Sequence, residues 1–181
     1  MKSQKKYLVV IAGPTAVGKT DLAIRLAKNY HSVVLSADSR QFYRELNIGT
    51  AKPSPEQLKE VPHFFINTKN AEELYGAGHY AKDALELMNE LFNTHPVIFM
   101  VGGSGLYIDA VLNGVDDFEE IPQNIRDDLN KTFEERGLQW LQQELEQKDP
   151  EYYREVDHNN PQRMIRALEV ISYSRKPYSF F

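Results

Sequence analysis

Apolar residues fall into short unbroken runs that alternate with longer segments of helical spacing. Tyr7-Leu8-Val9-Val10-Ile11-Ala12 is continuous, as expected of a buried parallel strand. Asp21 to Lys28 follows, with Leu22, Ile24, Leu26 and Ala27 fitting the inner side of a helix. Ser32–Ser36 and His63–Asn67 read as two further short strands. Pro96 introduces Val97-Ile98-Phe99-Met100-Val101, the clearest fully buried strand. Tyr80 through Phe92 places Ala84, Leu87, Met88 and Leu91 at the spacing of an amphipathic helix. This alternation predicts an α/β fold, a doubly wound parallel sheet. The pattern changes at Asp116, where two surface helices, Ile121–Arg136 and Leu138–Gln147, are separated by Gly137. His158-Asn159-Asn160-Pro161 caps a last helix, whose stripe is Met164, Ala167, Leu168 and Ile171. The organisation expected is an α/β core over 1–115, a small helical insert over 116–157, and a segment over 158–181 that returns to the core.

Composition narrows the class. With 181 residues the chain can bury one sizeable core, and 41% hydrophobic with 26% charged residues is ordinary for a globular protein. It has no cysteine, which excludes a disulfide framework and suits a reducing cytoplasm. Lys2, Lys5 and Lys6 precede an apolar run too short for a signal peptide, and no segment approaches a membrane span. A cytoplasmic monomer is expected. The net charge of −5 argues mildly against a polyanionic partner, but residues 116–148 alone hold 10 acidic and 4 basic side chains. The rest is close to neutral and could present a local basic face to nucleic acid.

Candidate chemistry begins at Gly13-Pro14-Thr15-Ala16-Val17-Gly18-Lys19-Thr20. Strand, glycine loop and helix in this order form a phosphate cradle: backbone N–H groups turn inward and the helix N-terminus adds positive potential. Lys19 can reach outer phosphate oxygens and the Thr20 hydroxyl can ligate Mg²⁺. Nucleotide-binding proteins, ATP-dependent kinases and hydrolases above all, are the default for such a loop. Their companions are missing: Thr68-Lys69-Asn70 is no guanine-specificity motif, and the central strand ends in Gly102-Gly103 rather than a magnesium-holding Asp. Asp38 alone follows a predicted buried strand immediately. It could ligate Mg²⁺ through water, accept a proton, or simply cap the next turn. Arg163 and Arg166 lie near one another on their helix, as solvated surface cations or as a binding pair. Tyr43 and Tyr107 suit packing better than base stacking, and His63 and His79 have no ligand cluster around them.

Five blocks together are similar to the tRNA dimethylallyltransferase (isopentenyl-tRNA transferase) family. They are the Gly13–Thr20 loop, Asp38-Ser39-Arg40-Gln41 with Tyr43, Asn47-Ile48-Gly49-Thr50-Ala51-Lys52-Pro53, Val101-Gly102-Gly103-Ser104-Gly105-Leu106-Tyr107, and Asn160–Val170 with Pro161-Gln162-Arg163-Met164-Ile165-Arg166. The resemblance covers nearly the whole chain in the family's order. It implies a P-loop NTPase-like fold. It also implies transfer of a dimethylallyl group from dimethylallyl pyrophosphate to the exocyclic amine of the adenine 3′ of the anticodon in tRNA, with Mg²⁺. It makes Asp38 the proton acceptor and Lys19 and Thr15 pyrophosphate-side catalytic groups, with Thr20 on the metal. It assigns Asp38, Ser39, Arg40, Gln41, Ser104, Gln162, Arg163, Met164, Ile165 and Arg166 to the anticodon loop. Family members are longer, so part of the family's catalytic apparatus is expected beyond Phe181. Related enzymes prenylate free adenine nucleotides, and a non-catalytic fragment binding phosphate or RNA is the remaining alternative.

Overall fold

In the computed structural model, which describes residues 5–114 and 121–181, four parallel strands form one sheet. They are β1 (Tyr7–Ala12), β2 (Val34–Ser36), β3 (His63–Phe64) and β4 (Val97–Gly102), in the order β1-β4-β2-β3. Phe99 of β4 stands opposite both Val9 and Val34, so the most apolar run is central. Its alternate side chains serve both faces. Ile98 and Met100 pack with Ala84 and Met88 of α3 (Ala77–Leu91) and with Ile108 and Val111 of α4 (Gly105–Asn113). Phe99 and Val101 pack with Ala23, Ile24 and Ala27 of α1 (Lys19–Asn29). Helices on both faces make the sheet doubly wound.

The details depart from the pattern in three places. β1 is an edge among the described strands, with Tyr7 and Val9 half-exposed, so its apolar run is not buried on both sides. The buried face of α1 is Ala23, Ile24 and Ala27, whereas Leu22 is exposed. Positions 22, 24 and 26 follow a period of two and cannot share a helix face; 23, 24 and 27 can. The Asn47–Pro53 block, which carries no helical apolar spacing, leads through Ser54 into a helix, α2 (Pro55–Glu60). Ser54 and Gln57 form a reciprocal capping box there: Gln57 N donates to Ser54 Oγ at 3.3 Å, and Ser54 N donates to Gln57 Oε1 at 2.8 Å.

The chain divides into two compact units, 1–115 and 116–181, and the junction at 115–116 lies outside the described residues. The second unit contains α5 (Gln123–Lys148), α6 (Pro150–Glu155), α7 (Pro161–Ser174) and a 3₁₀ turn at Tyr178–Phe180. Gly137 interrupts α5 with φ 74° and ψ −173°, a backbone conformation that glycine alone adopts readily. Leu141 and Leu145 of α5 bury against Met164, Ile165 and Leu168, so residues 158–181 belong to this helical unit. Asn160 caps α7 by accepting from Arg163 N at 3.2 Å. No described helix is long and apolar enough to cross a membrane.

Candidate active site

After β1 the chain turns through Gly13–Gly18 and enters α1 at Lys19. Gly18 sits at the helix N-cap in left-handed backbone, and Ala16 has φ 65°. A left-handed non-glycine residue costs about 1–3 kcal/mol, strain of the kind that gathers at ligand sites. No side chain caps α1, which leaves its first N–H groups and the positive end of the helix dipole open to an anion. Lys19 Nζ donates to Pro14 O and so lies across the loop.

The opposite side is built where β2 and β4 end. Ala37 N donates to Val101 O at 2.7 Å, and Ser104 N donates back to Ala37 O at 3.3 Å. A Cβ on Gly102 would lie 2.1 Å from Ala37 O, so only glycine lets these strand ends close. Asp38 then begins a tight turn, with Oδ1 accepting from Arg40 N at 3.1 Å. Ser39 N donates to Ser104 Oγ at 2.9 Å, which fastens the Asp38 turn to the end of β4. Oδ2 of Asp38 faces the loop. The position that a Cβ on Gly103 would take is 3.4 Å from Gly13 O, 3.8 Å from Thr15 Oγ1 and 4.0 Å from Asp38 Oδ2. Carboxylate, hydroxyl and loop backbone therefore surround one open point.

Thr15 and Asp38 also line an open cleft of about 350 Å³, together with Lys19, Thr20, Gln41 and Lys52. Thr20 and Asp38 are hard oxygen donors on the same cleft, a set suited to Mg²⁺. Gln41 departs from its expected RNA-facing role. It is buried, its Oε1 accepts from Ser36 Oγ at 2.8 Å, and its Nε2 donates to Thr50 O and Ala51 O, both at 3.1 Å. Its amide thus ties the wall together and has no donor left for a base. Lys52, to which its Asn47–Pro53 block assigns no role, and the Gln57–Asp21 hydrogen bond (2.6 Å) are further wall features. The Ser54-x-x-Gln57 spacing is the signal that locates the second of them.

In the helical unit, Gln162 and Arg163 are exposed and Arg166 is half-exposed. Met164 and Ile165, expected to touch RNA, are instead fully buried on Leu141 and Leu145. A helix beginning at Pro161 turns these two positions inward and 162, 163 and 166 outward. Arg166 Nη1 donates to the buried Glu169 carboxylate at 3.1 Å, and Arg126 of α5 approaches the same oxygen at 3.8 Å. Arg126 also reaches Gln162 Oε1 at 3.5 Å, a neighbour hidden by the acidic composition around it. Tyr43 and Tyr107 serve packing: both surround the core that includes Phe42 and Tyr80, and Tyr107 Oη donates to Tyr75 O at 3.0 Å. His63 is half-buried; burial pushes its pKa down, and its Nδ1 pairs with Val61 O.

A glycine loop leading from a parallel strand into a helix, faced by the carboxylate of another strand's end, defines a P-loop NTPase-like α/β protein. Residues 41–181 match the IPP transferase family, and the chain belongs to it. It is 47% identical to a tRNA dimethylallyltransferase of Flavobacterium johnsoniae, a match covering 97% of this chain and 59% of that protein. Among solved structures it resembles the tRNA isopentenylpyrophosphate transferase of Bacillus halodurans, at 35% identity and a TM-score of 0.60 over 96% of this chain and 57% of that one. A eukaryotic dimethylallyltransferase acting on tRNA superposes with a TM-score of 0.80 at 25% identity, over 97% of this chain and 44% of its own. The chain thus spans somewhat over half the length of the curated relatives it matches.

Proposed function

We propose that this chain carries the donor-binding and proton-accepting part of an enzyme that transfers a dimethylallyl group to tRNA. The acceptor is the exocyclic amine of the adenine 3′ of the anticodon, and dimethylallyl pyrophosphate is the donor. The loop N–H groups, Lys19 and the open end of α1 hold the pyrophosphate. Its C–O bond to the prenyl carbon breaks, the amine nitrogen bonds to that carbon, and the amine proton passes to Asp38. Charge gathers on the leaving pyrophosphate, where positioned donors stabilise it most. Mg²⁺, held by Thr20, would supply further neutralisation of that charge. Ser39, Arg40 and Ser104, with Gln162, Arg163 and Arg166 of the helical unit, are the RNA-facing groups. The observation that carries this reading is the open point between Asp38 Oδ2, Thr15 Oγ1 and Gly13 O, in a chain of this family.

The test is the mass increase of tRNA incubated with dimethylallyl pyrophosphate and the protein. Lys19→Ala should lower turnover by about 10²–10³. Asp38→Asn, which keeps shape but cannot take the proton, should lower it by about 10²–10⁴ with donor binding retained. Near-normal turnover in Lys19→Ala removes the pyrophosphate assignment; near-normal turnover in Asp38→Asn removes the proton acceptor.

A further inference from the structure

Lys52 is a cation in the cleft wall to which the reaction above gives no role. Its Nζ donates to Tyr43 O at 2.6 Å, to Asn67 Oδ1 at 2.7 Å and to Asn47 Oδ1 at 3.0 Å. An ammonium has three donors and no acceptor, so these partners engage every proton it carries. They come from three stretches that sequence keeps apart: the segment leaving Asp38, the loop before Lys52, and the chain after β3. The same stretches are joined twice more. Asn67 N donates to Gln41 O at 3.0 Å, and the Gln41 amide holds Thr50 and Ala51. Asn67 keeps φ 55°, a left-handed backbone that asparagine tolerates better than most residues, so its Oδ1 is delivered from a special turn.

Two roles separate on this geometry. A second pyrophosphate ligand beside Lys19 must turn at least one N–H toward the cleft. A strut must turn all of them toward protein, as Lys52 does. We propose that Lys52 is a positioning residue: it fastens the Tyr43, Asn47 and Asn67 stretches into one wall, so that the turn carrying Asp38 keeps its carboxylate on the Thr15 side of the cleft, and it binds no phosphate itself. This inference rests on the reading of Asp38 as proton acceptor. A lysine suits the place because its point charge can serve three acceptors in different directions, which the planar fork of arginine cannot.

The first test is amine-reactive labelling of the chain, resolved by residue with mass spectrometry, with and without inorganic pyrophosphate. Lys52 should label far more slowly than the exposed Lys82, at a rate unchanged by pyrophosphate. Rapid labelling, or protection that appears only with pyrophosphate, overturns the proposal. Lys19 is the internal control: if pyrophosphate fails to protect it, the pyrophosphate reading falls while the Lys52 result still stands or falls on its own labelling. The second test is kinetic, with tRNA as acceptor. Lys52→Met should lower kcat by about 10², the scale of a 1 Å misplacement, with the KM for dimethylallyl pyrophosphate unchanged. Asn67→Ala should lower kcat in the same direction, whereas Asn67→Asp keeps the acceptor oxygen and should retain wild-type kcat. The double variant Lys52→Met with Asn67→Ala should be no slower than Lys52→Met alone. A raised donor KM with unchanged kcat, or fully additive losses, overturns the proposal. If Lys52→Met melts far below wild type, the Asn67 pair decides the matter without it.

Discussion

Gly102 and Gly103 are adjacent yet do different things. At Gly102 a Cβ would lie 2.1 Å from the backbone oxygen of Ala37, and backbone cannot step aside. At Gly103 the nearest atoms are 3.4 Å or more away, so an alanine fits the fold but occupies the point that Asp38, Thr15 and the loop surround. Gly102→Ala is therefore expected to prevent stable folding. Gly103→Ala should melt within a few degrees of wild type yet lose about 10² in turnover, because reacting atoms are displaced by the order of an ångström. Circular-dichroism melts set beside prenylation rates check this; a Gly103→Ala protein with full activity would empty that point of catalytic meaning. The Gly13–Thr20 loop and Asp38 were legible in the sequence because a loop and a strand end are contiguous. Gln41 and Lys52 were not, since what they bond is decided by turns that bring residues 47–51 and 67 beside residues 41–43. Met164 and Ile165 were misread because motif membership does not say which side of a helix a residue occupies.

Among the elements, β4 and α3 were predictable within a few residues from apolar spacing alone. The edge position of β1 was not, because periodicity reports side chains and not which strands lie alongside. The break at Gly137 was legible because its backbone conformation excludes other residues. The short helices α2 and α6 carry no apolar period; their signal lies in their caps. Asp149 shows what such a cap can hold. It accepts from Tyr152 N at 3.0 Å to start α6, and from Ser179 N at 2.7 Å and Ser179 Oγ at 2.8 Å to fix the 3₁₀ turn. Burial pushes its carboxyl up, but the hydrogen bonds from Ser179, Tyr152 and Tyr178 outweigh this and its pKa lies below the ordinary aspartate value. A depressed native pKa stabilises the fold above the unfolded value, near pH 4, and that contribution drains away as pH falls through the native pKa. Asp149→Asn should thus destabilise the helical unit by about 1–3 kcal/mol at neutral pH, since a buried donor loses its charged acceptor. Trp140, the sole tryptophan, lies in this unit and reports its melting by fluorescence. The gap between wild type and Asp149→Asn should hold from pH 7 to 5 and close below about pH 4. A gap independent of pH would mean that the charge of Asp149 contributes nothing.

For the molecule as a whole, charge decides how an RNA could be held. A net charge of −5 repels a polyanion, and the 10 acidic residues of 116–148 concentrate that repulsion in one segment. Binding must then come from particular exposed cations. Arg166 is a poor probe of this, because removing it strips a partner from the buried Glu169 and would disturb α7 for reasons unrelated to RNA. Arg40 and Arg163 are the cleaner pair: both side chains are exposed, and each takes part in its local turn or cap through backbone N–H, which alanine keeps. If each meets a phosphate of a single-stranded loop, its loss lowers the slope of log affinity against log salt by about 0.7. Arg40→Ala and Arg163→Ala should each show that change, and the double variant about twice it, in a salt titration of anticodon stem-loop binding. Affinity for dimethylallyl pyrophosphate should stay constant throughout, because neither arginine lines the cleft. A slope that shifts for Arg40→Ala but not for Arg163→Ala would confine RNA contact to the α/β unit. Parallel lines for all four proteins would return both arginines to the ordinary solvated surface and require the RNA to be held by uncharged contacts.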